Sequence, residues 1–281
     1  MTPPTRQTVA GQVYLDLRRL ARTTGRATDE LLPLYALEGF LDRLTQSGHR
    51  NHFVLKGGVL LAAYDARRAT RDIDFAARDL RNDIETMIAT VRVVIAVNLE
   101  DGLSYDPDSL RAQTIREDDD YNGVRITATA QLATARLHFH LDINVGDPIW
   151  PEPTVVNLPR LLGTEPIRII GYPIAMILAE KIVTAMQRGT ANTRWRDFVD
   201  IRALLTTSPP DPDALRTAIT RVAEHRATTI RPLAQTLEGY ATLAQSRWSA
   251  WRRNQRLDTT TPADFADLLQ PVINYVDALL A

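Results

Sequence analysis

The chain has no cysteine and only two lysines among its 281 residues. Without cysteine, disulfides and thiolate metal sites are excluded. No apolar run approaches the roughly 18 residues a membrane span needs. The segment Met1–Arg22 lacks the apolar centre of a signal peptide, so a cytoplasmic, membrane-free location is expected. A formal net charge of −1 excludes a generally basic, nucleic-acid-coating protein. It leaves room for a local basic cleft, because 31 of the 33 basic residues are arginine and can be unevenly spread. Against that bias, Lys56 and Lys181 mark positions where a compact, flexible ammonium serves better than a planar guanidinium.

Periodicity organises the rest. Val9, Val13, Leu17, Leu20 and Ala21 recur at helical spacing before Gly25. Thr28-Asp29-Glu30 is a capping signal for a second helix through Leu34, Leu37, Phe40, Leu41 and Leu44, stopping near Gly48. A short apolar run over 52–55 leads into Gly57-Gly58 and a helix over 59–64. Alternation over 73–76 predicts a strand with Asp72 and Asp74 on one face. Residues 80–98 read as an amphipathic helix. The acidic tract Glu117-Asp118-Asp119-Asp120, followed by Asn122-Gly123, reads as the exposed approach to a strand pair over 124–132 and 136–145 rather than as a metal site. Prolines between 148 and 159 mark a connector. After a strand at 167–170, Pro173 suits the first turn of a helix. Everything beyond is helical, with breaks near 189–193, 208–212 and 258–262. The expected architecture is α/β, of the α+β kind, over 1–165, followed by an all-helical domain over 166–281.

Chemistry concentrates in two segments. In the first, Val54-Leu55-Lys56-Gly57-Gly58 is followed by Arg68-Ala69-Thr70-Arg71-Asp72-Ile73-Asp74. A Gly-Gly pair after a strand lets backbone amides approach phosphate oxygens. Two carboxylates at i and i+2 on a strand point the same way and suit hard divalent cations. Either feature alone is commonplace: a turn, or a pair of solvent-facing acids. Their combination at this spacing is specific, and it is neither a P-loop nor a dinucleotide fingerprint. The second segment is Glu180-Lys181-Ile182-Val183, on a helix whose other residues are core, followed by Arg194-Trp195-Arg196-Asp197-Phe198-Val199-Asp200. Here the plain alternative is a structural ion pair between Lys181 and Asp197, with Asp200 paired to Arg196 or Arg202.

Lys56-Gly57-Gly58 with Arg68-x-Thr70-x-Asp72-x-Asp74 resembles the nucleotidyltransferase superfamily of the DNA polymerase beta type. Within it the pattern is most similar to the AbiEii/AbiGii-type toxins, which include the MenT-like mycobacterial toxins. The resemblance implies a nucleotidyltransferase-type mixed sheet, with the helical domain completing the active-site cleft. It implies Asp72 and Asp74 as holders of Mg2+ or Mn2+, and Lys56, Gly57, Gly58, Thr70, Arg71 and Arg194 at the nucleotide. Lys181 is assigned to the triphosphate of the NTP and Asp197 to an essential polar role. Asp142 is the candidate third carboxylate, as metal ligand or general base, with Asp147 its competitor. His138 and His140 share the face of Asp142 and read as packing or RNA-facing residues rather than zinc ligands, since no third nitrogen ligand is evident.

The implied function is a toxin of a toxin–antitoxin or phage-defence pair that moves NMP from NTP to RNA. The expected acceptor is the tRNA 3′ end, whose modification blocks aminoacylation, and the expected partners are tRNA and a cognate antitoxin. Arginines along the C-terminal half (Arg216, Arg221, Arg226, Arg231, Arg247, Arg252, Arg253 and Arg256), with Trp248 and Trp251, are candidates for the RNA surface; at least one tryptophan is expected in the core. A protein or small-molecule acceptor, or a non-catalytic nucleotide-binding module, are the alternatives.

Overall fold

The computed structural model describes residues 3–68, 70–117, 121–146 and 148–281. Asp118-Asp119-Asp120 and Asp147 therefore lie outside the described residues. The chain divides into two compact units.

The first comprises the described residues of Met1–Ala63, Arg67–Asp147 and Pro153–Tyr172. It begins with α1 (Val9–Thr24), capped by Thr8 accepting from the Gly11 amide and closed by left-handed Gly25. Next comes α2 (Thr28–Gln46), whose N-cap is Ala27, so Asp29 and Glu30 act through the helix dipole in the first turn. Then follow β1 (Phe53–Lys56), the short α3 (Gly57–Leu60), a 3-10 turn at Leu61–Tyr64, β2 (Asp72–Ala77) and α4 (Ile84–Ile95). The remaining strands are β3 (Leu103–Glu117), β4 (Tyr121–Leu132), β5 (Ala135–Val145), β6 (Thr154–Leu158) and β7 (Ile167–Gly171). Among the described residues they form one seven-stranded sheet ordered β3-β4-β5-β2-β1-β7-β6. It is mixed: β2 lies parallel to β5 and β1 to β7, and the other neighbours are antiparallel.

Two of these strands are not expected from the sequence. Asp106-Pro107-Asp108 interrupts the alternation of β3, and there the ladder shifts register between Asp106 and Arg111. A proline is tolerated at such a bulge in an edge strand. Strand β6 sits between prolines inside the stretch that reads as a connector, at the other edge of the sheet.

The helices cover one face. Phe40 of α2 packs on Phe75 and Phe139, with ring centroids 6.4 and 6.2 Å away, and α1 and α4 flank α2. Along β5, Leu137, Phe139, Leu141 and Ile143 are buried on that face, while His138, His140 and Asp142 alternate onto the other. Within the core, Arg43 of α2 donates to both carboxylate oxygens of Asp101 at 2.5 and 3.0 Å and to the Gly39 carbonyl at 3.0 Å. Its guanidinium lies 4.7 Å from the Tyr105 ring centroid.

The second unit comprises Tyr64–Ala66, Pro148–Glu152 and Pro173–Ala281. It contains α5 (Ile174–Arg188), a 3-10 turn at Gly189–Ala191, α6 (Trp195–Thr207), α7 (Pro212–His225), α8 (Leu233–Thr236), α9 (Tyr240–Asn254) and α10 (Phe265–Leu280). Pro173 is the N-cap of α5 rather than a first-turn residue. Phe198, Tyr240, Trp248 and Phe265 form an aromatic core, with Trp248 stacked on Phe265 at 5.2 Å. Among the described residues, no helix is long and apolar enough to cross a membrane.

Removing the Asp101 carboxylate strands a buried guanidinium. Asp101→Ala is expected to cost about 3–5 kcal/mol in urea unfolding, and the double change Arg43→Met with Asp101→Leu much less.

Candidate active site

The register of the sheet builds a row of charges on the face away from α2. Asp74 stands opposite Lys56 on one side and Asp142 on the other. Asp142 stands opposite Arg125, which donates to both of its oxygens, Nε to Oδ1 at 2.7 Å and Nη2 to Oδ2 at 2.6 Å. Asp72 joins the same face one step along, opposite His140. Lys56 is buried, with its Nζ 5.7 Å from the Tyr172 ring centroid.

Each glycine of the pair makes room for a charged group. Gly57 has φ +68°, and a Cβ there would lie 1.7 Å from Asp74 Oδ2. A Cβ on Gly58 would lie 2.9–3.0 Å from the Arg68 guanidinium. The pair thus brings Asp74 and Arg68 against bare backbone where α3 begins. Thr70 Oγ1 donates to the Asp72 carbonyl at 3.2 Å, fixing the entry to β2. Arg71 is exposed, and its carbonyl accepts from the His140 amide at 3.4 Å. One residue before Arg68, Arg67 is anchored to buried Glu38 at 2.6 Å, and the other Glu38 oxygen accepts from the Leu161 amide at 2.8 Å.

Burial pushes the Asp74 carboxyl up to about 6; Lys56 opposes the rise, Asp142 and Asp72 add to it, and Arg68 opposes it. Arg125 is held even more firmly charged than a free arginine, first by its bonds to Asp142 and then by the field of all three carboxylates, although burial works against this. Among the described residues, no three carboxylate or imidazole groups form a ready-made cation cage. Asp72 and Asp74 offer instead two carboxylates on one face. Magnesium commonly binds through one or two carboxylates, completing its shell with water and substrate phosphates.

The second segment forms its own cluster within the helical unit. Lys181 Nζ donates to Asp197 Oδ1 at 2.6 Å and to Asp200 Oδ2 at 2.9 Å. Arg194 Nε donates to the other Asp197 oxygen at 2.7 Å. Burial alone would raise the Asp197 carboxyl, but Lys181 and Arg194 outweigh it and hold the group below its ordinary value. The ion pair that composition and spacing leave as an alternative is therefore formed, and Asp200 shares it.

Arg68 and Arg125 are the charged residues of the first cluster that fall outside the sequence-derived set. Arg68 is visible in its motif. Arg125 pairs with Asp142 across 17 positions, and only the strand register reveals it.

Comparison with known proteins places these clusters in context. Residues 39–271 match the family described as nucleotidyl transferase AbiEii toxin, type IV toxin–antitoxin system. The chain belongs to that family. This AbiEii chain is thus a nucleotidyltransferase, with a nucleoside triphosphate as substrate, a divalent metal as the family's general requirement and an antitoxin as its counterpart. No curated protein matches its sequence. Among solved structures, it is similar to MenT4, a nucleotidyltransferase toxin of Mycobacterium tuberculosis H37Rv, at 19% identity and a TM-score of 0.55, covering 94% of this chain and 98% of that one. JHP933 from Helicobacter pylori follows at 15% identity and a TM-score of 0.51, covering 95% and 93%. At these identities the likeness establishes the shared fold. Both clusters of the AbiEii chain fall inside the matched segment.

Two outcomes follow from the geometry. A raised carboxyl means that the folded state holds an extra proton between the ordinary value of 3.8 and about 6, so this group's stability contribution falls as pH rises through that window. Asp74→Asn is expected to raise stability by roughly 2–3 kcal/mol at pH 7.5, with the gain vanishing by pH 4 in paired unfolding curves. Gly57→Ala combines a strained φ with a clash against Asp74 and is expected to lower the melting temperature sharply. Gly58→Ala, facing only the movable end of Arg68, is expected to lower it less.

Proposed function

We propose that this nucleotidyltransferase moves a nucleoside monophosphate from NTP to the 3′-terminal hydroxyl of an RNA, with tRNA the acceptor, and so blocks aminoacylation and translation. The observation that carries the reading is the joining of Asp72, Asp74 and Asp142 on one sheet face beside the Gly57-Gly58 turn.

In the transfer, the acceptor hydroxyl oxygen bonds to the α-phosphorus as the bond to pyrophosphate breaks. Pyrophosphate leaves with the electron pair, and the hydroxyl proton passes to a carboxylate. Asp72 and Asp74 would hold the divalent cation, magnesium or manganese, which when bound would supply positive charge at the reacting oxygens. Asp142 accepts the proton, its two oxygens oriented by Arg125. Lys56 and Arg68 lie beside Asp74 and supply positive charge for phosphate oxygens. The glycines keep backbone amides accessible, and Thr70 and Arg71 shape the approach. Lys181 balances triphosphate charge, held ready by Asp197 and Asp200, with Arg194 fixing Asp197.

Incubating the protein with labelled nucleotides, magnesium and total RNA is expected to label tRNA-sized material. Label that appears only in protein or small molecules would defeat the RNA reading. Asp74→Ala is expected to abolish transfer and growth inhibition while the protein stays folded. For Lys181→Ala the expectation is a KM for NTP raised at least about tenfold, the loss of one charge-assisted contact. An unchanged KM with a lowered melting temperature would make the Lys181 cluster purely structural.

A further inference from the structure

The sheet face bearing the three carboxylates continues past them. On β5, His140 and His138 follow Asp142 at every second residue on the same side, and Arg136 comes next. Each imidazole is held by a threonine from the neighbouring strand. His140 Nδ1 and Thr127 Oγ1 are 3.1 Å apart, as are His138 Nδ1 and Thr129 Oγ1. The two rungs are identical in chemistry and about 7 Å apart along the strand. Neither ring is drawn into the core, since Leu137, Phe139 and Leu141 fill the opposite face; His138 is exposed and His140 partly so.

We infer that these two histidine–threonine rungs are a stacking platform for the last unpaired nucleotides of the RNA acceptor. This rests on the RNA reading above and names the surface that recognises the acceptor. The platform is continuous with Asp142, so a strand lying along it delivers its terminal hydroxyl to the carboxylate row. A ring hydrogen-bonded at Nδ1 presents a fixed flat face, and imidazole is among the side chains on which unpaired bases stack. Charge fits as well. Arg136 is exposed roughly 20 Å from Asp142 at the far end and suits a backbone phosphate; Arg111 stands opposite Thr127 on β3, with its Nη1 donating to the Asp108 and Leu110 carbonyls. Zinc would need a third ligand, and none converges here among the described residues.

The test titrates the full chain with a short single-stranded RNA bearing a free 3′ hydroxyl and, in parallel, with NTP. The His138→Ala/His140→Ala variant is expected to lose about 10–100-fold in RNA affinity, with NTP affinity and melting temperature unchanged. His138→Phe/His140→Phe is expected to keep RNA affinity, because stacking survives. Blunt duplex RNA is expected to bind all three proteins alike. Unchanged RNA affinity in the alanine variant overturns the platform, and so does a phenylalanine variant as weak as the alanine one. If the alanine variant fails to fold, Thr127→Val/Thr129→Val frees both rings and is expected to weaken RNA binding alone; undiminished binding overturns the inference. Wild-type protein that labels RNA while the variants match it sinks only this inference. Wild-type protein that neither binds nor labels RNA sinks the functional reading beneath it.

Discussion

Three carboxylates share one side of a sheet because β2 and β5 run parallel in a register that sets Asp74 beside Asp142. That register is the constraint on which the site depends. A slip of one residue would turn Asp72 and Asp74 into the core and Ile73 and Phe75 out of it, so burial of the apolar set enforces placement of the acids. Like charges brought this close need compensation, and the flanking strands supply it. Lys56 lies opposite Asp74 on β1, and Arg125 lies opposite Asp142 on β4. The row reads cation, acid, acid, cation across four neighbouring strands.

Much of this was legible from residue order, and the parts that were not have physical reasons. Alternation over 73–76 was enough to put Asp72 and Asp74 together, and the Gly-Gly pair marked the close approach of backbone to a charged group. What the glycines accommodate was not legible: the carboxylate of Asp74 and the guanidinium of Arg68 arrive from 17 and 10 positions away in the chain. Arg125 was hidden for the same reason, since pairing across strands is a property of register and not of spacing. Strand β3 escaped because Pro107 and its bulge break the period of two, and β6 because prolines on both sides of a five-residue strand look like a linker. By sequence the arginines of the C-terminal half are candidates for one RNA surface, yet several are engaged within the protein. Arg216 binds Asp213 and the Leu279 carbonyl, Arg226 binds Thr184, and Arg252 binds Thr261 and Asp258. Trp248 is wholly buried, its indole nitrogen donating to the Pro262 carbonyl at 3.2 Å.

The scarcity of lysine acquires a structural meaning in these surroundings. Asp197 and Asp200 are one helical turn apart on α6, and a single ammonium at Lys181 bridges an oxygen from each. A guanidinium tends to engage one carboxylate with its planar fork, whereas an ammonium directs three donors in a tetrahedron. At Lys56 the constraint is size: the cation is almost fully buried between Asp74 and the Tyr172 ring. Both positions thus favour a compact charge, and a composition that turned the other basic positions to arginine left these two alone.

The first cluster is close to neutral as it stands, with Lys56, Arg68 and Arg125 set against Asp72, Asp74 and Asp142. A triphosphate approaching such a cluster meets no net attraction, because each cation already has carboxylates in its field. Asp72 and Asp74 would, on the proposed reading, hold a divalent cation, which would change the balance by two charges and leave Lys56 and Arg68 less restrained by those acids. On the proposed reading, metal and nucleotide therefore bind with positive coupling, each strengthening the other by the same factor. A site assembled from mutually compensating charges would, on that reading, hold the pair more tightly than either ligand alone.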